Sequence, residues 1–445
     1  MRITLIRCHE FDSINTRLPG SINKAQGVVP PLGLLYLGSN LDGHDVQIVD
    51  AVLNNLTTDE IADRVQYWKS DIVGITAMTP TIRGALEVAK LIHEKGIPVI
   101  IGGAHCSVYP IETVELPYVD YVVCGDGEVP LKNLLDALQN KTSTDIIGII
   151  TKNWNGGIYI QKNLDDLNDI DWDLINVLDY NSIAGEDTNC TIMATRGCPF
   201  NCGFCLRTPE TRLVRYRSID RVIKEIEVLK SKGIKEILFY DDTLTANRKY
   251  IMAMCKRLRE VNIKWSGPTR VDRVDLDLLK VMKSSGCKML RFGVESGDIN
   301  ILKLMNKGTN ISTIYNAFKI AKEVGIETFA YFIIGYATES EVTMKRTIKL
   351  AKMLDPDMVM FTIATPLPLT DLNKYSPDSD YWLKYMRGET SDRAPILHPL
   401  ANKYVKKAYR EFYLRPSYIW KRIKKIKSFG DLKKNIVGAI GILKV

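Results

Sequence analysis

The chain predicts an α/β protein: a doubly wound parallel sheet, then a partial (β/α)6 barrel, then a helical C-terminal region. Three observations carry this. Short apolar runs alternate with amphipathic helical patterns over the first 140 residues, a second alternation of six strand–helix units begins at Thr191, and the strand pattern fades past Asp371. The boundaries that follow are 1–143, a hairpin and linker over 144–187, the barrel over 188–370, and a basic helical region over 371–445.

In the first part, strands are expected at Ile3–Ile6, Val46–Val49, Ile72–Ile75, Val99–Ile101 and Tyr121–Val123, with helices at Thr81–His93 and Val129–Leu138. Ligands of such sheets bind at the carboxyl ends of the strands, where Gly102-Gly103-Ala-His105 and Gly125-Asp-Gly-Glu128 fall. Residues 145–187 read as a hairpin and an acidic linker. Asp165, Asp166, Asp169, Asp171 and Asp173 make it too polar for core.

Barrel strands are expected at Thr191–Thr195, Glu236–Tyr240, Ile263–Trp265, Met289–Phe292, Thr328–Ile333 and Met358–Thr362. Helices are expected between them at Ile219–Lys230, Lys249–Glu260, Leu276–Ser284, Ile311–Glu323 and Glu341–Met353, and later at Lys403–Tyr413 and Tyr418–Lys427. Catalytic loops of such a barrel belong at the strand C-termini.

One run sits just after the first barrel strand: Ala194-Thr-Arg-Gly-Cys-Pro-Phe-Asn-Cys-Gly-Phe-Cys205. Three thiolates at C-x3-C-x2-C suit three corners of a [4Fe–4S] cluster. The missing fourth thiolate leaves one iron open to a substrate, as in a catalytic metal site. A structural zinc site would call for a second C-x2-C pair or histidines, and neither lies nearby.

Composition narrows the class. With 45% hydrophobic and 25% charged residues, the chain is ordinary for a globular protein. It contains no run of eighteen apolar residues, and its start, Met1–Arg7, reads as a strand without a signal-peptide core. Nine cysteines without a secretory signal imply reduced thiols and a cytoplasmic, oxygen-poor setting. Residues 401–445 hold 13 Lys or Arg against Glu411 and Asp431; subtracting this +11 from the total of +8 leaves −3 for residues 1–400. Tyr404, Tyr409, Phe412, Tyr413, Tyr418, Trp420 and Phe429 interleave with these cations. That mixture favours a lipid interface at the inner membrane face over a nucleic-acid groove, with Ile436–Leu443 inserting shallowly; the alternative is that the rings pack onto the barrel and the lysines solvate a helix face.

The cysteine run, with Phe204 before its last cysteine, resembles the cluster motif of the radical S-adenosylmethionine (SAM) superfamily. The resemblance implies that SAM chelates the open iron. An electron, from a reducing system such as flavodoxin or ferredoxin, then cleaves it to methionine and a 5′-deoxyadenosyl radical. It further implies that Asp241 and Asp242 hold the SAM amine, that Arg270 reaches the carboxylate, that Glu295 contacts SAM, and that Ile333 and Gly335 line the adenine pocket. Several N-terminal runs resemble the Rossmann-like cobalamin-binding domain of B12-dependent members. These are Pro30-Pro-Leu-Gly-Leu34, Gly43–Asp50, Gly74–Pro80, Gly102–His105 and Val123–Glu128. The implied cobalamin contacts are Leu32, Gly33, Thr76, Met78, Thr79, Gly102, Gly103, His105, Gly125, Gly127 and Glu128. The Asp-x-His-x-x-Gly motif is absent, so no histidine is expected on cobalt, and Met78 is the bulky side chain nearest the lower corrin face.

Together these features imply a cobalamin-dependent radical SAM C-methyltransferase. SAM methylates the reduced cobalamin, and a second SAM supplies the radical that removes hydrogen from an unactivated carbon. Cyclisation or oxidation without methyl transfer is the alternative, and a non-catalytic membrane-binding module is an alternative of another class. Leu367 and Leu369 stand where relatives carry Pro-Gly-Thr, which favours an apolar substrate, a lipid or isoprenoid.

Overall fold

The computed structural model describes residues 1–9, 27–182, 188–390 and 394–424, with Ala439 and Gly441. The first sheet has six strands in the spatial order Asp45–Asp50, Arg2–Arg7, Ile72–Thr76, Val99–Gly102, Tyr121–Val123, Ile149–Ile150. The first five are parallel and the last antiparallel. Strand order reverses between Arg2–Arg7 and Ile72–Thr76, which creates the crevice where doubly wound sheets bind ligands. Ile3, Ile6, Ile75, Val99 and Ile101 are buried, as sheets covered by helices on both faces require.

The second sheet is wholly parallel and runs in sequence order: Asn189–Ile192, Glu236–Phe239, Lys264–Arg270, Cys287–Glu295, Glu327–Ile334, Met358–Ile363. Side chains alternate across it. Leu290, Phe292 and Val294, then Ala330, Phe332 and Ile334, pack outward into the core under the helices. Their alternates, Arg291 and Gly293, then Tyr331 and Ile333, are left half-buried on the concave side. Helices Leu276–Ser284 and Ile311–Glu323 start at Asp275 and Asn310, whose side chains accept a backbone N–H of the first turn.

Two expectations change. The acidic linker contributes to the core: Leu164, Ile170, Trp172 and Val177 are buried, Trp172 at 2% exposure. Asp165 and Asp169 face the start of the first barrel helix instead, Asp165 accepting the Ser218 N–H at 2.9 Å and Asp169 pairing with Arg221 at 2.7 Å and with Lys224 at 2.9 Å. Polar spacing hid an apolar residue at every turn. The tail aromatics also change role. Tyr404, Tyr409, Phe412 and Tyr418 are buried against the last two barrel strands and their helices, and the Tyr409 hydroxyl accepts the Phe361 N–H at 3.1 Å. Helix Ala401–Tyr413 therefore covers the last two barrel strands with the rings expected to face lipid. Phe429 and most of Ile436–Leu443 lie outside the described residues.

Candidate active site

The cysteine loop leaves the first barrel strand through Thr195–Arg196, which pairs antiparallel with Arg215–Tyr216. Gly197 has φ +92°, and a Cβ there would stand 2.3 Å from the Leu213 carbonyl oxygen, so only glycine permits the turn. Further along, the Gly203 N–H donates to Met305 O at 2.8 Å and its carbonyl accepts from Leu372 at 2.9 Å. Cys198 and Cys202 are half-buried and Cys205 is exposed, whereas Cys8, Cys106, Cys124, Cys190, Cys255 and Cys287 are buried. The three loop thiols are thus the reachable ones. Among the described residues, no three His, Cys, Asp or Glu side chains are gathered closely enough to hold a metal as they stand.

The chemistry of the donor set fits a cluster. Burial pushes the Cys202 thiol up, while Lys307 and Arg270 pull it down. The Arg270 guanidinium lies 3.5 Å from the Cys202 sulfur, and cations beside a thiol favour the ligating thiolate. Arg270 also stacks 4.0 Å over the Phe200 ring and grips Asp272 through two bonds of 2.9 and 3.1 Å. Its carboxylate-binding fork therefore already holds a carboxylate. Glu295, at the end of its strand, has φ +69° and is buried with Lys307 at 2.7 Å. A non-glycine residue held in that conformation is stored strain, which concentrates at functional sites. Phe204 packs beside Met305 and Tyr336, with the Lys307 ammonium 5.8 Å from its ring centre.

Two SAM-site expectations need correction. Asp241 is buried, and its carboxylate accepts the Ala194 N–H at 3.2 Å and the Thr195 N–H and hydroxyl at 2.6 Å each. It ties the second strand to the root of the cysteine loop, so three of its bonds are already made within the protein. Burial pushes it up to about 6. Asp242 is the exposed member of the pair, and its carboxylate accepts the Gly197 N–H. Gly335 is enclosed: φ is +80°, a Cβ would stand 2.5 Å from the Ala401 Cβ, and its N–H donates to Glu339 at 2.6 Å. Its smallness serves the C-terminal helix, leaving half-buried Ile333 as the residue open to the concave side.

At the crevice of the first sheet, Met78 is 54% exposed on the loop that follows Ile72–Thr76, between half-buried Thr76 and buried Thr79. Its exposed side chain offers an apolar surface there. Gly103 has φ +98°, and a Cβ would stand 2.5 Å from Ala77 O. Gly103 thus lets its loop pack against the Ala77 backbone beside Met78, where a side chain would not fit. Exposed Gly33 has nothing within 4 Å of a Cβ, whereas Leu32 is buried in the core shared with the barrel.

Other residues expected at the cobalamin make close contacts within the protein. His105 is fully buried, its Nε2 3.2 Å from the Met386 sulfur and its Nδ1 3.4 Å from the Thr79 hydroxyl. Burial drives it down to about 3, so it is neutral. A helix the sequence pattern did not mark, Tyr381–Met386, covers it. His44 pairs with Asp136 at 3.0 Å, at the opposite end of the sheet. A Cβ on Gly125 would stand 2.1 Å from Tyr159 O, and one on Gly127 3.0 Å from Leu37. Glu128 pairs with Arg196 at 2.5 Å, and Asp126 pairs with Arg196 at 2.9 Å and also with Arg215. This buried network binds the Gly125–Glu128 loop to the residue two places before Cys198. Sequence reasoning missed Arg196 and Lys307 because each is a lone cation whose acid partner is distant in sequence.

Comparison with known proteins follows this geometry. Residues 192–351 match the model of the radical SAM superfamily, and residues 20–135 match that of the B12 binding domain. An uncharacterized methyltransferase of Pyrococcus horikoshii is 36% identical over 418 residues, 88% of this chain and 90% of the relative. The chain is a cobalamin-dependent radical SAM enzyme. Within this methyltransferase-containing family, it is 30% identical to the anaerobic magnesium-protoporphyrin IX monomethyl ester cyclase of Rubrivivax gelatinosus, over 88% of this chain and 75% of the cyclase. The fold is shared with TsrM, a radical SAM methyltransferase from Kitasatospora setae solved with cobalamin and a [4Fe–4S] cluster. The TM-score is 0.66 at 17% identity, covering 83% of this chain and 73% of TsrM. The cofactors of this radical SAM enzyme are a [4Fe–4S] cluster, SAM and cobalamin. Among the described residues, no helix is long and apolar enough to cross a membrane.

Proposed function

We propose that this enzyme transfers a methyl group from SAM to an unactivated carbon of an apolar small molecule. The observation that carries this is the presence in one chain of the cysteine loop and the B12 binding domain, joined by the Arg196 network. That network fixes the root of the cluster loop to the first sheet, so that the two cofactor-bearing edges act as one unit. When bound, the cluster and cobalamin supply reductive SAM cleavage and a methyl carrier. Cys198, Cys202 and Cys205 hold the cluster, with Arg270 and Lys307 balancing its thiolates. Asp242, Glu295 and Ile333 are placed at strand ends to position SAM. Met78, Thr76, Gly102 and Gly103 form the cobalamin platform.

An apolar substrate is supported by Leu369, 61% exposed past the last barrel strand. Membrane contact moves from the buried rings to helix Pro416–Lys424, where Ile419, Trp420 and Ile423 are exposed beside Lys424. Sequence identity to the cyclase supports ring closure as the second reading.

Growing cells with and without the gene on methionine carrying a CD3 methyl tests the proposal. A metabolite that gains all three deuteriums only with the gene supports it. A gene-dependent product that has lost hydrogen and carries no label would favour the cyclase reading.

A further inference from the structure

We propose that the barrel reads an anionic group, a carboxylate or phosphate, on the substrate through Arg291. The inference rests on the reading of this barrel as the site of a small-molecule substrate and names a chemical feature of that substrate. Arg291 lies on strand Cys287–Glu295 with its neighbours Leu290 and Phe292 turned into the outer core, so its side chain enters the concave side. It is half-buried, and its Nε is buried without an acceptor among the described residues. The contacts it does make are neutral: one Nη donates to the Ser266 hydroxyl at 3.4 Å, and the guanidinium also bonds the Tyr331 phenol.

Its lack of a counter-charge sets it apart from the arginines that tie these elements together: Arg7, Arg196, Arg215, Arg217 and Arg270 each pair with a carboxylate. Among the described residues, none stands within ion-pair reach of Arg291. A guanidinium withdrawn from water without a counter-charge is costly. That cost is repaid when a ligand brings the charge, and the planar fork matches a carboxylate or phosphate. Tyr331 strengthens the site: it is a protonated phenol that takes its bond from Arg291 and keeps its own O–H to donate. Phe329 stacks on Tyr331 at 4.7 Å. One fixed cation among aromatic walls suits a molecule with an apolar body and an acidic end.

The test uses reconstituted enzyme loaded with cobalamin and SAM, titrated calorimetrically with hexyl phosphate, hexanoate and hexanol. At least one of the two anions should bind tenfold or more tighter than hexanol. Which one leads distinguishes phosphate from carboxylate. Arg291→Gln should bring the preference within twofold, Arg291→Lys should restore part of it, and Tyr331→Phe should weaken it a few-fold. SAM affinity should stay within twofold in every variant. An anion preference that survives Arg291→Gln overturns the proposal, as does a variant that loses SAM binding, since Arg291 would then serve SAM. Loss of methyl transfer to a real substrate with the anion preference intact would fault the methyltransferase reading alone.

Discussion

Replacing Arg196 by Met should destabilise the chain by about 3–5 kcal/mol, the cost of breaking a buried ion pair from one side. The magnitude follows from the partners. Side-chain exposure is 13% for Arg196, 5% for Glu128 and 7% for Asp126. Asp126 keeps Arg215, so removing Arg196 orphans Glu128, whose second oxygen already lacks a partner. Glu128→Met should cost a similar amount by leaving the Arg196 charge under-compensated. The double variant should cost far less than the sum, because two apolar side chains of similar size leave no charge behind. Anaerobic urea titration of the four proteins, followed by circular dichroism and tryptophan fluorescence, closes the cycle. Single losses below about 1 kcal/mol, or additivity within about 0.5 kcal/mol, would refute the argument that this pair joins the sheets.

Replacing Cys198, Cys202 and Cys205 together by Ala should abolish both iron retention after reconstitution and 5′-deoxyadenosine formation; full SAM cleavage would refute the cluster assignment. Because His44 and His105 are engaged elsewhere, His44→Ala should leave the base-off cobalamin spectrum unchanged, and EPR of the cob(II)alamin form should lack axial nitrogen coupling. Glu339 is buried with one oxygen unpaired, and burial raises its carboxyl from 4.5 to about 7. A raised carboxyl favours the fold below its unfolded value, so stability should fall by roughly 3 kcal/mol as pH rises from 4.5 through 7. Glu339→Gln should flatten that slope, and equal slopes in the two proteins would contradict the assignment. Full-length enzyme should float with anionic vesicles at low salt, and Trp420→Glu with Ile423→Glu should release it; unchanged flotation would remove helix Pro416–Lys424 from the membrane reading.

Much of the fold is legible in the sequence because the second sheet and five strands of the first are parallel and buried. Each strand is a short apolar run and each crossover a helical period, so Leu276–Ser284 and Ile311–Glu323 match the structure at both ends. The cysteine loop is legible because its spacing is local. What the sequence hides is long-range. Asp241 and Asp242 look equivalent until the fold aims one at Thr195. Glu128 looks like a ligand contact until Arg196, 68 residues away, reaches it. Tyr404 and Tyr409 read as a lipid-facing stripe because nothing local says that the last two strands need a cover. Arg291 escapes notice for the same reason, since a missing partner leaves no mark in a sequence.

The central claim is that one chain couples cobalamin methylation to radical SAM cleavage, and the two SAM products report on it directly. Reconstituted enzyme with reductant, SAM and cobalamin should form both S-adenosylhomocysteine and 5′-deoxyadenosine. Omitting cobalamin should remove the S-adenosylhomocysteine and spare the 5′-deoxyadenosine. Equal S-adenosylhomocysteine with and without cobalamin, or 5′-deoxyadenosine as the sole product in its presence, would contradict the account.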